Sequence, residues 1–114
     1  MVETGASETE RPFFMEALVR DWPDTWFAVD SDADRRGLEA ELARELAPDH
    51  PLHAVPVTLI GRAQDGDDFL FEDAEGRCFE VHLTFAARQE RAPWPSAAAF
   101  PSFAAWRKAA CDAS

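Results

Sequence analysis

The chain has 114 residues, 46% of them hydrophobic, with nine Phe and four Trp. That is one domain's worth of sequence, able to bury a core without metal or disulfide. Its 22 acidic residues outnumber 11 bases for a formal net charge of −11, a field that repels nucleic acid and anionic membranes and speeds encounter with a basic partner.

Residues 1–10 are polar and without periodicity, and are expected to form a flexible N-terminus ahead of a single α+β domain over 11–114. Pro12 suits a first helical position, and Phe14, Leu18 and Trp22 follow at spacings of four before Pro23 stops the run, which predicts a short first helix. TWFAV at 25–29 is open to a strand or an apolar loop. A second helix is predicted from about Ala33 to Ala47: Ser31 to Asp34 form its N-cap region, Leu38, Leu42 and Leu46 its stripe, and Pro48 its end. PDHPLHAVP is too rich in proline for a helix.

Three strands follow, in VTLIGRAQ, DDFLFED and RCFEVHLTF, separated by the turn signals Asp65-Gly66 and Glu75-Gly76. RAPWPSAAAFPSF reads as a proline-broken loop, ending in a C-terminal helix from about Ser102 to Ala110. The predicted fold is therefore α+β: two N-terminal helices, a three-stranded antiparallel meander with room for a fourth strand from TWFAV, and a C-terminal helix. The helices should cover one sheet face.

The glycines set the expected register. Three-residue loops ending in a left-handed glycine, Gln64-Asp65-Gly66 and Ala74-Glu75-Gly76, pair Gly61 with Phe69, Leu59 with Phe71, Phe71 with Phe79 and Phe69 with Val81. Side chains alternate along a strand, so Val57, Leu59, Ala63, Phe69, Phe71, Phe79, Val81, Leu83 and Phe85 share a core face. The opposite face carries the rows Arg62–Asp68–His82, Ile60–Leu70–Glu80 and Thr58–Glu72–Cys78.

That polar face is the candidate site. Asp68, Glu72, Glu80, His82 and Arg62 form the expected binding surface. In an alternative, catalytic reading Asp68 orients His82 as a proton carrier and Arg62 holds an anionic group. Cys78 stands two rows from His82, too far for a nucleophile pair. The bland alternative is a solvated ladder that only stabilises register. A third reading takes Ile60 and Leu70, apolar residues on a polar face, as a self-association surface.

Metal binding is not expected. His50 and His53 flank Pro51 without a CxxC or HExxH companion, Cys78 and His82 are about 13 Å apart along a strand, and DGDD lacks the later glutamate of a calcium loop. No P-loop, GxGxxG or GxSxG occurs, so no cofactor is expected. Trp94, Phe100, Phe103 and Trp106 serve either as an exposed anchor or as packing over the sheet. Two cysteines, Cys78 and Cys111, are too few for a secreted framework. No apolar run reaches the roughly 18 residues of a membrane helix, and the acidic start does not fit a signal peptide. These features lead to the expectation of a cytoplasmic protein.

HPL at 50–52, DDFLF at 67–71, VHLTF at 81–85, the run Glu90 to Pro95, and FPSFAAW at 100–106 occur in that order. They resemble a family of short uncharacterised bacterial proteins with an HPL…DDxLF…VHLT[WF]…WP…FxSFxxW pattern, over about residues 38–106. The resemblance implies a compact bacterial domain and no transferable catalytic residues. By analogy with small acidic bacterial proteins, the expected function is protein binding, as an inhibitor or immunity-type protein blocking a basic partner.

Overall fold

The computed structural model describes residues 20–91 and 94–112. In chain order it has strand β1 (Trp26–Ala28), helix α1 (Asp32–Glu45), strands β2 (Val57–Ala63), β3 (Asp68–Asp73), β4 (Cys78–His82) and β5 (Ser96–Phe100), and helix α2 (Phe103–Asp112). The strands form one antiparallel sheet in the order β1-β2-β3-β4-β5.

This corrects the expected fold in its details, while the α+β class and the antiparallel sheet hold. Among the described residues there are five strands rather than three or four, and two helices, one before the meander and one at the C-terminal end. Most of the predicted first helix, residues 12–19, and the N-terminal residues 1–10 lie outside the described residues; Arg20 to Trp22 are not helical. The strand missed in the sequence is β5. SAAAF has neither β-branched residues nor alternation to announce a strand, and Pro95 and Pro101 bracket it.

Helix α1 starts where predicted: the Ser31 hydroxyl accepts the Asp34 N–H at 3.2 Å, and Asp32 and Asp34 place negative charge in the first turn. Ser102 does the same for α2 through the Ala105 N–H at 3.1 Å. The hairpin β3–β4 follows the expected register, Glu72 opposite Cys78 and Phe71 opposite Phe79, and Gly76 has φ 87° in its turn.

The hairpin β2–β3 does not. Leu59 pairs with Phe71 as expected, but the register then slips, so that Gly61 faces Leu70 and Arg62 faces Phe69. Ile60 is the extra residue of a β-bulge, which turns two successive positions to one side and inverts the alternation beyond. Near the turn, Asp65 Oδ1 takes the N–H groups of both Asp67 and Asp68, at 2.9 and 3.2 Å. Trp22 lies so close over Gly61 that a Cβ there would overlap its ring.

The sheet therefore has two covered faces instead of one. On the first, Leu42, with Leu38 and Leu46 beside it, packs α1 onto Leu59, Phe69, Phe71, Val81 and Leu83. On the second, Trp106 of α2 covers Ile60, Leu70 and Cys78, joined by Trp26 and Ala63. Ala63, expected on the first face, stands on the second because of the bulge. Trp106 meets Trp26 edge-on at 4.8 Å between ring centroids and Trp22 at 5.7 Å. Each fully buried Leu, Ile or Phe contributes about 1.5–3 kcal/mol, so each helix is held mainly by what it covers. Ile60 and Leu70 are apolar because α2 of the same chain lies over them.

Candidate functional site

The expected polar surface is divided by this geometry. Asp68 and His82 do meet: they pair across β3 and β4, and His82 Nδ1 is 2.9 Å from Asp68 Oδ1. The hydrogen bond to Asp68 raises the His82 pKa, aided by the negative charge of Asp68, Asp67 and Asp65. Asp68 itself is pushed up, first by burial and then by the neighbouring Asp65 carboxyl.

Arg62 does not join them. The bulge places it opposite Phe69 on the α1 side, its guanidinium 5.9 Å from the Phe69 ring centroid. The row Arg62–Asp68–His82 is not formed. Glu72 and Glu80 are engaged within the chain rather than forming a free surface. Glu72 is buried and paired with Arg20 at 3.0 Å, and Glu80 accepts the Trp106 indole N–H at 2.9 Å. Cys78 is fully buried, and burial, with the Glu72 charge next, pushes its thiol up to about 12. Such a thiol is not a nucleophile near neutral pH.

The segment after β4 supplies the parts that sequence reasoning missed. β4 ends at His82, and Phe85, expected in the core, is 48% exposed with φ 57°. Two carboxylates of α1 hold this loop. Glu45, fully buried, accepts the N–H groups of Thr84 at 3.0 Å and Phe85 at 2.9 Å, and Glu41 accepts that of Ala87 at 3.1 Å. Phe85 and Ala87 both have positive φ, a conformation uncommon for residues with side chains. Burial, and then the hydrogen bond to Glu41, raises the Glu45 pKa, while the same hydrogen bond and Arg44 lower that of Glu41. The signal for this clasp was in the helix stripe, where Glu41 and Glu45 flank Leu42.

A cleft of about 390 Å³ opens there, lined by Asp67, His82, Thr84, Phe85, Glu90 and Trp94. Thr84 Oγ1 donates to Glu90 Oε2 at 2.6 Å. Trp94 is 48% exposed, whereas Trp106 is buried, so the aromatic tail divides between anchor and core. Trp94 also ends a second, larger cavity of about 570 Å³ along β5, whose lining includes Leu52, Val55, Phe79, Ala97 and Ala99.

His50 fastens the wall of that cavity. Its Nδ1 accepts the Leu52 N–H at 3.0 Å, so the ring proton is on Nε2, which donates to Pro95 O at 2.7 Å. His50 is thus a tie between two loops, apart from His82 and from exposed His53. Among the described residues no group of three His, Cys, Asp or Glu is arranged to hold a metal ion, and no helix is long and apolar enough to cross a membrane. The segments HPL and WP meet at the larger cavity, and DD, VHLTF and Glu90 meet at the cleft. In comparisons with known proteins, no family model, no curated protein and no solved structure matches the chain.

Proposed function

We propose that the protein is a binding module for a basic protein partner, of the inhibitor or immunity type, and that the partner is engaged at the cleft beside His82. The observation that carries this reading is the pairing of exposed aromatic rings with carboxylates. Phe85 and Trp94, each 48% exposed, share the cleft with Asp67 and Glu90. Aromatic faces and carboxylates together attract a lysine or arginine side chain, and Trp is favoured where interfaces concentrate their energy. The net charge of −11 draws such a partner in. The expected acidic surface of Glu72 and Glu80 plays no part in this reading, because Arg20 engages Glu72 and Trp106 engages Glu80.

A catalytic reading has less support, since Arg62 stands across the sheet from Asp68 and His82. Self-association through Ile60 and Leu70 has lost its motive, because Trp106 covers them.

The test is recovery of partners from lysate of the source cell on immobilised protein, at low and high salt, with Trp94→Ala and Asp67→Asn for comparison. A basic protein held at low salt, released at high salt and lost with either substitution is the expected result. Recovery that ignores both substitutions would reduce the interaction to net charge and remove the cleft from it.

A further inference from the structure

The cleft and the larger cavity share Trp94, and the larger cavity lies along β5, with Ser96, Ala97 and Ala99 in its lining. Within the sheet, β5 pairs only with β4, so its other edge is open among the described residues. Soluble proteins usually protect such an edge with charge, proline, a bulge or shortness. Ser96–Phe100 has none of the first two, and its register with β4 runs without a break from Ser96 to Phe100. The opposite edge, β1, is only three residues long.

Ala97 and Ala99 pair with Val81 and Phe79 and so share their side of the sheet. Their small side chains leave the floor of the 570 Å³ groove open between Phe79, Leu52 and Val55. Trp94 closes one end and borders the acidic cleft beyond it. Arg77, at the other end, is occupied by Asp73 at 2.7 Å and Glu75 at 3.2 Å.

Resting on the basic-partner reading, we propose that the partner contributes an extended segment that adds a sixth strand to β5. One of its apolar side chains fills the groove over Ala97 and Ala99, and a lysine or arginine passes Trp94 to reach Asp67 and Glu90. Strand addition draws affinity from main-chain hydrogen bonds and specificity from alternate side-chain pockets, and this edge offers both. Charge decides against the other occupants. A second copy would bring another −11, and residues 1–19 carry four glutamates against one arginine.

The test uses the full chain and a synthetic alternating valine–arginine peptide of about eight residues, together with the same peptide N-methylated on every backbone amide, so that neither edge can donate a hydrogen bond. Both carry the same charge, but only the first can pair as a strand. Strand addition predicts binding of the first peptide, about tenfold or greater loss on N-methylation, a comparable loss with Ala99→Trp, and slowed hydrogen exchange of β5 amides. Equal binding of both peptides, sensitive to salt and to Asp67→Asn, would overturn strand addition and leave the basic-partner reading in place. Binding of neither peptide would overturn both. Protection of the β5 edge in the protein alone would also overturn the proposal, with sedimentation showing whether a second copy or the chain's own segment lies there.

Discussion

Glu80 accepts the indole N–H of Trp106 at 2.9 Å, so a carboxylate on the sheet anchors the most deeply buried side chain of α2. Removing the acceptor leaves a buried N–H without a partner, which costs about 1–3 kcal/mol, while Trp106→Ala costs about 3–5 kcal/mol through the cavity it leaves. Glu80→Gln retains an acceptor oxygen and should lie closer to wild type than Glu80→Ala. Urea denaturation of the three variants checks the order. A Glu80→Ala protein as stable as wild type would show that the bond contributes nothing.

The two thiols should behave differently. Cys111 is exposed, whereas Cys78 is buried with its pKa raised to about 12. A thiol reagent at neutral pH should therefore label Cys111 quickly and Cys78 only as the protein unfolds, at a rate that follows opening. Mass spectrometry of the labelled chain gives the answer directly. Rapid labelling at Cys78 in the native protein would mean that α2 leaves the sheet readily.

Glu45 and Glu41 have opposite effects on stability as pH changes. The folded-state pKa of Glu45 lies above its ordinary value of 4.5. Its contribution is therefore present at low pH and is lost as pH rises from about 4.5 through the raised pKa. Glu41 is lowered, so its contribution is present above about 4.5 and is lost as pH falls through the depressed pKa. Glu45→Gln removes the first effect and also alters the second, because the hydrogen bond to Glu45 is the largest cause of the Glu41 lowering. The variant should gain on wild type as pH rises through that window, although it has one acceptor fewer for the Thr84 and Phe85 N–H groups. Urea midpoints against pH measure this, and a constant difference between the two proteins would refute it.

His82 should titrate above its ordinary value of 6.5, because Asp68 bonds to its ring. The stabilisation from this pair is complete below about pH 6.5 and is lost as pH rises through the raised pKa. NMR titration of the ring should show the elevation and its partial collapse in Asp68→Asn, with Asp67 and Asp65 supplying the remainder. An unchanged midpoint in that variant would detach His82 from Asp68.

How much of this could be read from residues alone depended on distance along the chain. Asp68 and His82 belong to strands separated by one tight turn, and a glycine that must adopt positive φ gave that turn away; their pairing was legible. The cap at Ser31 and the stripe of Leu38 and Leu42 were legible for the same reason, being local. Nothing local marked Ile60 as an extra residue, so Arg62 was placed on the wrong side. Glu45 was overlooked because its partners, Thr84 and Phe85, lie some 40 residues away and are main-chain groups without a side-chain signature. β5 was overlooked because alanine says little about strand, and its order comes from β4 and from α2 behind it.

The bulge at Ile60 has one more implication. Whether Arg62 or Ala63 faces the Trp26–Trp106 side is decided by a count of residues, not by their chemistry. An odd insertion or deletion between Leu59 and Arg62 would exchange them, driving a guanidinium in among the indoles and an alanine out over Phe69. The turn at 64–67, by contrast, lies past the last paired position and can change length without altering which side anything faces. Two neighbouring stretches of the same hairpin thus differ sharply in the variation they can absorb, and a length change meant to bring a cation beside Asp68 and His82 would do so only at the expense of the tryptophan layer.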